Sequence, residues 1–161
     1  MAFRPPEHLI LAETEHWMLN HRVDASLPGY LMLASRVETN HLHALPAEAL
    51  AELGVWLARA QQALTEIYAP LHFYISRYGH MDGFSIHFHI IPVHRWVKQS
   101  YLRHHAETGS KEQEPDGADM TRFIWPNYCE KVPCALPVEE SSVAEAMELL
   151  TRWFEQNVRM R

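Results

Sequence analysis

The chain has few of the features that would take it out of the ordinary globular class. It has 2 cysteines in 161 residues, Cys129 and Cys134. A single pair is no disulfide framework, and it lacks the CxxC spacing of a zinc or redox motif. Isolated thiols suit a reducing compartment, so a cytoplasmic location is expected. No run approaches the ~18 apolar residues that a membrane-spanning helix needs. The opening Met-Ala-Phe-Arg-Pro-Pro-Glu-His lacks the basic-then-apolar order of a secretory leader. Positive charge is also scarce, with 14 Lys and Arg against 20 Asp and Glu and a net charge of −6. That balance excludes a global cationic field for a nucleic acid polymer. A nucleotide handled by this chain would be small and held in a local pocket. Internal repeats, heptads and low-complexity tracts are absent as well. What remains has the length of one domain, able to bury about two-thirds of the surface its unfolded form exposes.

Histidine, by contrast, is plentiful: 12 residues. Two of them stand two positions apart in the apolar run Gly83-Phe84-Ser85-Ile86-His87-Phe88-His89-Ile90-Ile91-Pro92. Side chains alternate along a strand, so the pattern predicts Ser85, His87 and His89 on one face and Phe84, Ile86, Phe88 and Ile90 on the other. Successive same-face positions are roughly 6.6 Å apart. A half-buried strand is more simply built with Thr, Ser or Lys outward. Two imidazoles at fixed spacing suit phosphate chemistry or metal ligation.

The surrounding pattern predicts an α+β domain with an antiparallel meander. A first strand is expected around His16–Asn20, then a Pro28-Gly29 turn of type II and a second strand over Tyr30–Ala34. A long helix opens at Leu45-Pro46-Ala47-Glu48, with Leu50, Leu53, Leu57, Leu64 and Ile67 as its apolar positions, and ends before Pro70. Leu71–Tyr78 reads as a strand, 79–83 as a turn into the histidine strand, and Trp96–His105 as a short helix. A loop follows over 106–116. Met120, Phe123, Ile124 and Tyr128 have helical spacing, with Pro126 as a local obstacle. Ser141 or Ser142 caps a last helix through Val158.

The segment Ser85-Ile86-His87-Phe88-His89-Ile90-Ile91 resembles the histidine-triad (HIT) motif, His-φ-His-φ-His-φ-φ with φ apolar, with Ser85 at the first histidine. Leu27-Pro28-Gly29-Tyr30-Leu31-Met32-Leu33 is similar to the family's Pro-Gly-His and following apolar strand, and the order of elements agrees. The likeness covers roughly residues 10 to 97. It implies a HIT-like antiparallel sheet with one long helix, a nucleotide-binding core over 1–100, and a helical C-terminal extension over 101–161 packed on the same single domain.

The resemblance also implies a nucleotide phosphohydrolase or nucleotidyl transferase. His87 would attack an α-phosphorus of a dinucleoside polyphosphate or AMP conjugate and form a nucleotidyl-histidine. Splitting the displacement in two eases each step. His89 would donate to a non-bridging oxygen, and backbone N–H groups near Gly83 and Phe84 would help hold the phosphate. Ser85 offers a hydrogen bond but no positive charge. Asn20 would bond a sugar hydroxyl, and Arg22 and Arg77 would favour phosphate. No cofactor is implied beyond a divalent metal ion arriving with the nucleotide, and a homodimer is.

Two other readings stay open at this level. One is a nucleotide-binding module with little turnover, and the other is a metal-binding protein with His87, His89 and a carboxylate such as Asp82. His80 is a further phosphate candidate, and Trp96 would shape a leaving-group pocket. His41-x-His43 reads as a solvent-exposed pair, and His104-His105 as a polar helix end. His94 follows the strand's end with no predictable facing, and the acidic run at 112–116 reads as a solvated loop.

Overall fold

The computed structural model describes residues 4–78, 84–107, 114–129 and 135–158. Its centre is a five-stranded antiparallel sheet built from β1 (Ile10–Glu13), β2 (Trp17–His21), β3 (Leu31–Ser35), β4 (His72–Ser76) and β5 (His87–Val93), in the order β1-β2-β3-β5-β4. Four helices accompany it: α1 (Ala47–Tyr68), α2 (Arg95–Glu107), α3 (Gly117–Tyr128) and α4 (Val143–Asn157). No helix among the described residues is long and apolar enough to cross a membrane. The histidine strand lies inside the sheet between β3 and β4, so both its neighbours fix its register.

Alternation gives the sheet two different faces. Trp17, Leu19, Leu31, Leu33, Ile86 and Ile90 point into one core with Ala49, Trp56, Ala60, Ala63 and Leu64 of α1 and Leu150, Trp153 and Phe154 of α4. Leu27, Tyr30, Ile91 and Val93 belong to a second core with Trp96, Val97 and Tyr101 of α2 and Met120, Phe123, Ile124 and Tyr128 of α3. His87 and His89 share the parity of Ile91 and Val93. They therefore stand on the side that α2 and α3 cover.

The helix boundaries follow local chemistry. In α1, Glu48 sits in the first turn, and the helix stops in a left-handed residue, Ala69 (φ 43°), immediately before Pro70. Its buried stripe is Ala49, Trp56, Ala60, Ala63 and Leu64. Leu50, expected inward, is 42% exposed, because at 100° per residue it falls at the margin of that stripe. Asp116 and Asp119 form a reciprocal capping box at the start of α3, and Ser142 and Glu145 do the same for α4. Pro126 is accommodated in the last turn of α3, where it removes one backbone bond without breaking the helix.

Two further expectations need correction. A strand, β1, precedes the first one read from the sequence, paired to β2 through a register shift between Ile10 and Ala12. Its four residues are too few for a clear alternation. Phe84 does not join Ile86 and Ile90 in the core. It lies ahead of β5, is 36% exposed, and brings its ring centroid to 6.2 Å from that of His87. Side chains alternate between faces reliably only within a strand, and Phe84 stands three residues ahead of β5.

The Pro28-Gly29 turn is of the expected kind. Tyr30 N–H donates to the Leu27 carbonyl, and Gly29 has φ +79°. A Cβ there would lie 2.7 Å from Leu64 Cδ2. Gly29→Ala is therefore expected to lower stability by about 1–3 kcal/mol, read as a lower urea midpoint. Leu150→Ala, at a fully buried position of α4, is expected to lose about 2–5 kcal/mol. Both losses should appear within one unfolding transition if the C-terminal helices belong to the same cooperative unit. A separate transition for α4 would contradict that unit.

Candidate active site

The register places the expected site residues in rows across the sheet. Asn20 pairs with Met32, Met32 with His89, and His89 with Ser76, so these four positions face the same side on β2, β3, β5 and β4. His87 pairs with Ala34 in the next row. The cross-strand neighbour of His87 is thus the small Ala34, and that of His89 is the larger Met32.

His87 begins β5, and its Nδ1 lies 2.9 Å from the Ser85 carbonyl oxygen. A carbonyl only accepts, so Nδ1 carries the proton and Nε2 of the neutral ring keeps its lone pair. Ser85 thus contributes its main chain here. The Ser85 carbonyl is available because Ser85 precedes the strand, while Ile86 is tied by its N–H to Thr39 and by its carbonyl to Ser35.

His89 is buried, with its ring 5.3 Å from that of His87. Tyr30, Tyr78 and Trp125 enclose it at centroid distances of 5.9, 5.3 and 5.7 Å. Burial, followed by the Arg22 guanidinium and His87, lowers its pKa to about 3, against the opposing pull of Asp24. His89 is neutral at pH 7.

The other expected residues are distributed unevenly. Asn20 is buried, and its amide nitrogen donates to the His21 carbonyl at 2.7 Å. Arg22 is not presented to solvent as a free phosphate ligand. Nε and Nη2 bond Asp24, Nη1 bonds the Tyr30 hydroxyl, and the guanidinium lies 5.1 Å from both the Tyr30 and Trp125 ring centroids. Desolvation beside aromatic rings makes the Asp24 partnership more favourable than an open position. Arg77 is exposed and donates to the Asn40 carbonyl. Gly83, His80, Asp82 and Cys134 lie outside the described residues.

Trp96 is core rather than pocket wall, 4% exposed and stacked on His94. His94 is itself buried, with Nε2 on the Pro28 carbonyl at 2.9 Å. His41 and His43 are exposed neighbours. Among the described residues no three His, Cys, Asp or Glu side chains gather as a metal site. Sequence reasoning missed Tyr30, Tyr78 and Trp125 as site residues. Tyr30 had a signal, since it follows Pro28-Gly29 where the family motif has histidine. Trp125 had none, because its place depends on how α3 docks.

The buried histidines set a pH response. Burial lowers the pKa of His21, His89 and His94 in the folded protein, while the unfolded chain protonates near 6.5. Below 6.5 the unfolded chain takes up protons that the folded one refuses, so stability is complete above that pH and is lost as pH falls. For His89, between pH 6 and 5, the loss approaches about 1.4 kcal/mol per pH unit, and His21 and His94 add to it in the same direction. His89→Gln should reduce the slope of urea stability against pH by about one proton's worth in that window. An unchanged slope would show that His89 is not held neutral.

No protein-family model matches the chain, and no curated protein does. Solved structures do. One is a zinc-bound histidine triad family protein from Mycobacterium smegmatis, at 16% identity over 92% of this chain and 84% of that one, with a TM-score of 0.54. Another is a Plasmodium falciparum diadenosine triphosphate hydrolase in complex with cyclomarin A, at 12% identity over 98% and 83%, with a TM-score of 0.58. A third is a histidine triad protein from Bradyrhizobium japonicum, at 17% identity over 94% and 98%, with a TM-score of 0.54. At such identities the likeness is one of fold. Five antiparallel strands, one long helix beneath them and the His-x-His strand inside the sheet give this chain the α+β histidine-triad fold.

Proposed function

We propose that this protein is a nucleotide phosphohydrolase or nucleotidyl transferase that works through a covalent nucleotidyl-His87. The observation that carries the reading is the bond from His87 Nδ1 to the Ser85 carbonyl, which leaves Nε2 as the nucleophilic nitrogen of the ring. In the first step Nε2 attacks the α-phosphorus. A P–N bond forms, the P–O or P–N bond to the leaving group breaks, and that group departs with its electron pair and takes up a proton. Water then cleaves the P–N bond, releasing the nucleoside monophosphate and restoring the imidazole. His89, neutral beside His87, would donate to a non-bridging oxygen as its charge grows.

The substrate class in this proposal is a dinucleoside polyphosphate or an AMP conjugate. Solved structures of similar fold include a diadenosine triphosphate hydrolase, which supports the class without naming the leaving group. Asn20 occupies the histidine row two strands away and is suited to a sugar hydroxyl. Buried Ser76 Oγ has no partner among the described residues and stands opposite His89. It is a second hydroxyl-bonding group for the same ligand. The reaction calls for no cofactor beyond a divalent ion carried by the nucleotide. The proposed setting is the cytoplasm, and the proposed assembly is a homodimer. β4 is an edge strand with Ile75 41% exposed, which gives a second copy a place to pair.

A module that binds nucleotide without turning it over is the competing reading, favoured by the loss of an imidazole at Ser85. The Ser85 carbonyl contact weakens that case, because the group holding His87 is still present.

Brief mixing with diadenosine polyphosphate or an adenosine phosphoramidate, followed by intact-mass measurement, should reveal an adenylyl adduct together with AMP release. His87→Ala should abolish both, and Ser85→His should preserve or raise turnover with the fold intact. Equal activity in wild type and His87→Ala would sink the covalent mechanism. Nucleotide binding with neither adduct nor AMP would favour the binding module.

A further inference from the structure

Two donors and one ring nitrogen converge on a single oxygen behind His89. Arg22 Nη1 donates to the Tyr30 hydroxyl at 3.0 Å, and Trp125 Nε1 donates to it at 2.9 Å. His89 Nδ1 lies 2.9 Å from the same oxygen. A phenol has one proton to give and two lone pairs to accept with. Arg22 and Trp125 have no acceptor capacity in these groups, so they occupy both lone pairs. The Tyr30 side chain is fully buried, and burial lifts its pKa above the usual tyrosine range although Arg22 works against this. The hydroxyl therefore keeps its proton, and among the described residues that proton has one remaining neighbour, His89 Nδ1.

We infer that Tyr30 is a positioning residue that holds His89 in the tautomer protonated at Nε2, and that Arg22 and Trp125 enforce this by filling the hydroxyl's acceptor sites. The consequence for chemistry rests on the proposed function. His87 is held by a carbonyl with its proton on Nδ1, and His89 by a hydroxyl with its proton on Nε2. Two like side chains on one strand face thus take opposite forms. One keeps an Nε2 lone pair for attack, and the other keeps an Nε2–H for donation to phosphate.

The charges around the ring favour this neutral state. Arg22 and His87 oppose a second proton on His89, and Asp24, bonded to Arg22, works the other way. Tyr30 and Arg22 also lie within electrostatic reach of Cys129, beyond the end of α3. Tyr78 at the end of β4 and Trp125 on α3 complete the enclosure. Trp125 is 95 residues from Tyr30 in the chain, so the C-terminal segment takes part in setting the proton.

The test is long-range 1H–15N spectroscopy of the full chain labelled on histidine nitrogens at pH 7.5, with His89 assigned by its disappearance in His89→Gln. The wild type should show His89 with Nδ1 bare and Nε2 protonated. Tyr30→Phe should redistribute the ring between tautomers and, with diadenosine polyphosphate, lower kcat by at least about tenfold with a smaller change in KM. Trp125→Phe, at a half-buried position, should shift the tautomers in the same direction but less, and it serves if Tyr30→Phe does not fold. A wild-type His89 protonated at Nδ1, or an unchanged tautomer in the folded variants, overturns the inference. The expected tautomers in a protein that releases no AMP would support the positioning role and remove only the hydrolase reading.

Discussion

Once Ile86 and Ile90 are packed against α1, the pleat leaves His87 and His89 only the opposite face of the sheet. A slip of one residue would put both imidazoles beneath α1 and Phe88 with one isoleucine into the site. The strand is held against that slip from both sides, by four residue pairs with β3 and five with β4. Placement of the chemistry is thus a by-product of hydrophobic burial. The energy that positions the imidazoles comes from the core side of the sheet, where the site itself has no part.

The second face solves a different problem, that of keeping polar groups in a partly dry place. An unmatched buried donor or acceptor is expensive. Asp24, Arg22, Tyr30, Trp125 and His89 form a chain in which these groups share partners, and the guanidinium is flanked by two rings. Such a network is stiff because each member limits the others. His94 performs a related task nearby, bonding the Pro28 carbonyl and so steadying the turn that delivers Tyr30. The two strand histidines and His94 differ here in partner. His87 and His89 face the rows next to Ala34 and Met32, while His94 is closed off among Trp96, Tyr68 and the turn.

Much of this was readable from residue order. Period-two alternation located β5, Pro28-Gly29 announced its turn, and the serine pair Ser141-Ser142 marked the start of α4. Strong local signals survive in a sequence because they involve residues a few positions apart. Leu50 lies at the margin of the stripe that α1 buries, and which part of an apolar face is covered depends on the partner surface as well as on helical spacing. The charge of Arg22 is visible in a sequence, and its ion pair with Asp24 beside two rings is not. Trp125 was invisible for a similar reason, since a residue on a distant helix joins a site only through packing.

The carbonyl that steadies His87 belongs to Ser85, and main-chain oxygens come with every amino acid. Codon changes at position 85 can alter size, charge or polarity there, yet none can delete that acceptor. An imidazole anchored this way is buffered against genetic drift in its own support, since the side chain at position 85 can change while the ring two residues later stays held. Loss of the anchor would require the backbone itself to move, and Ile86, pinned by Ser35 and Thr39, stands in the way.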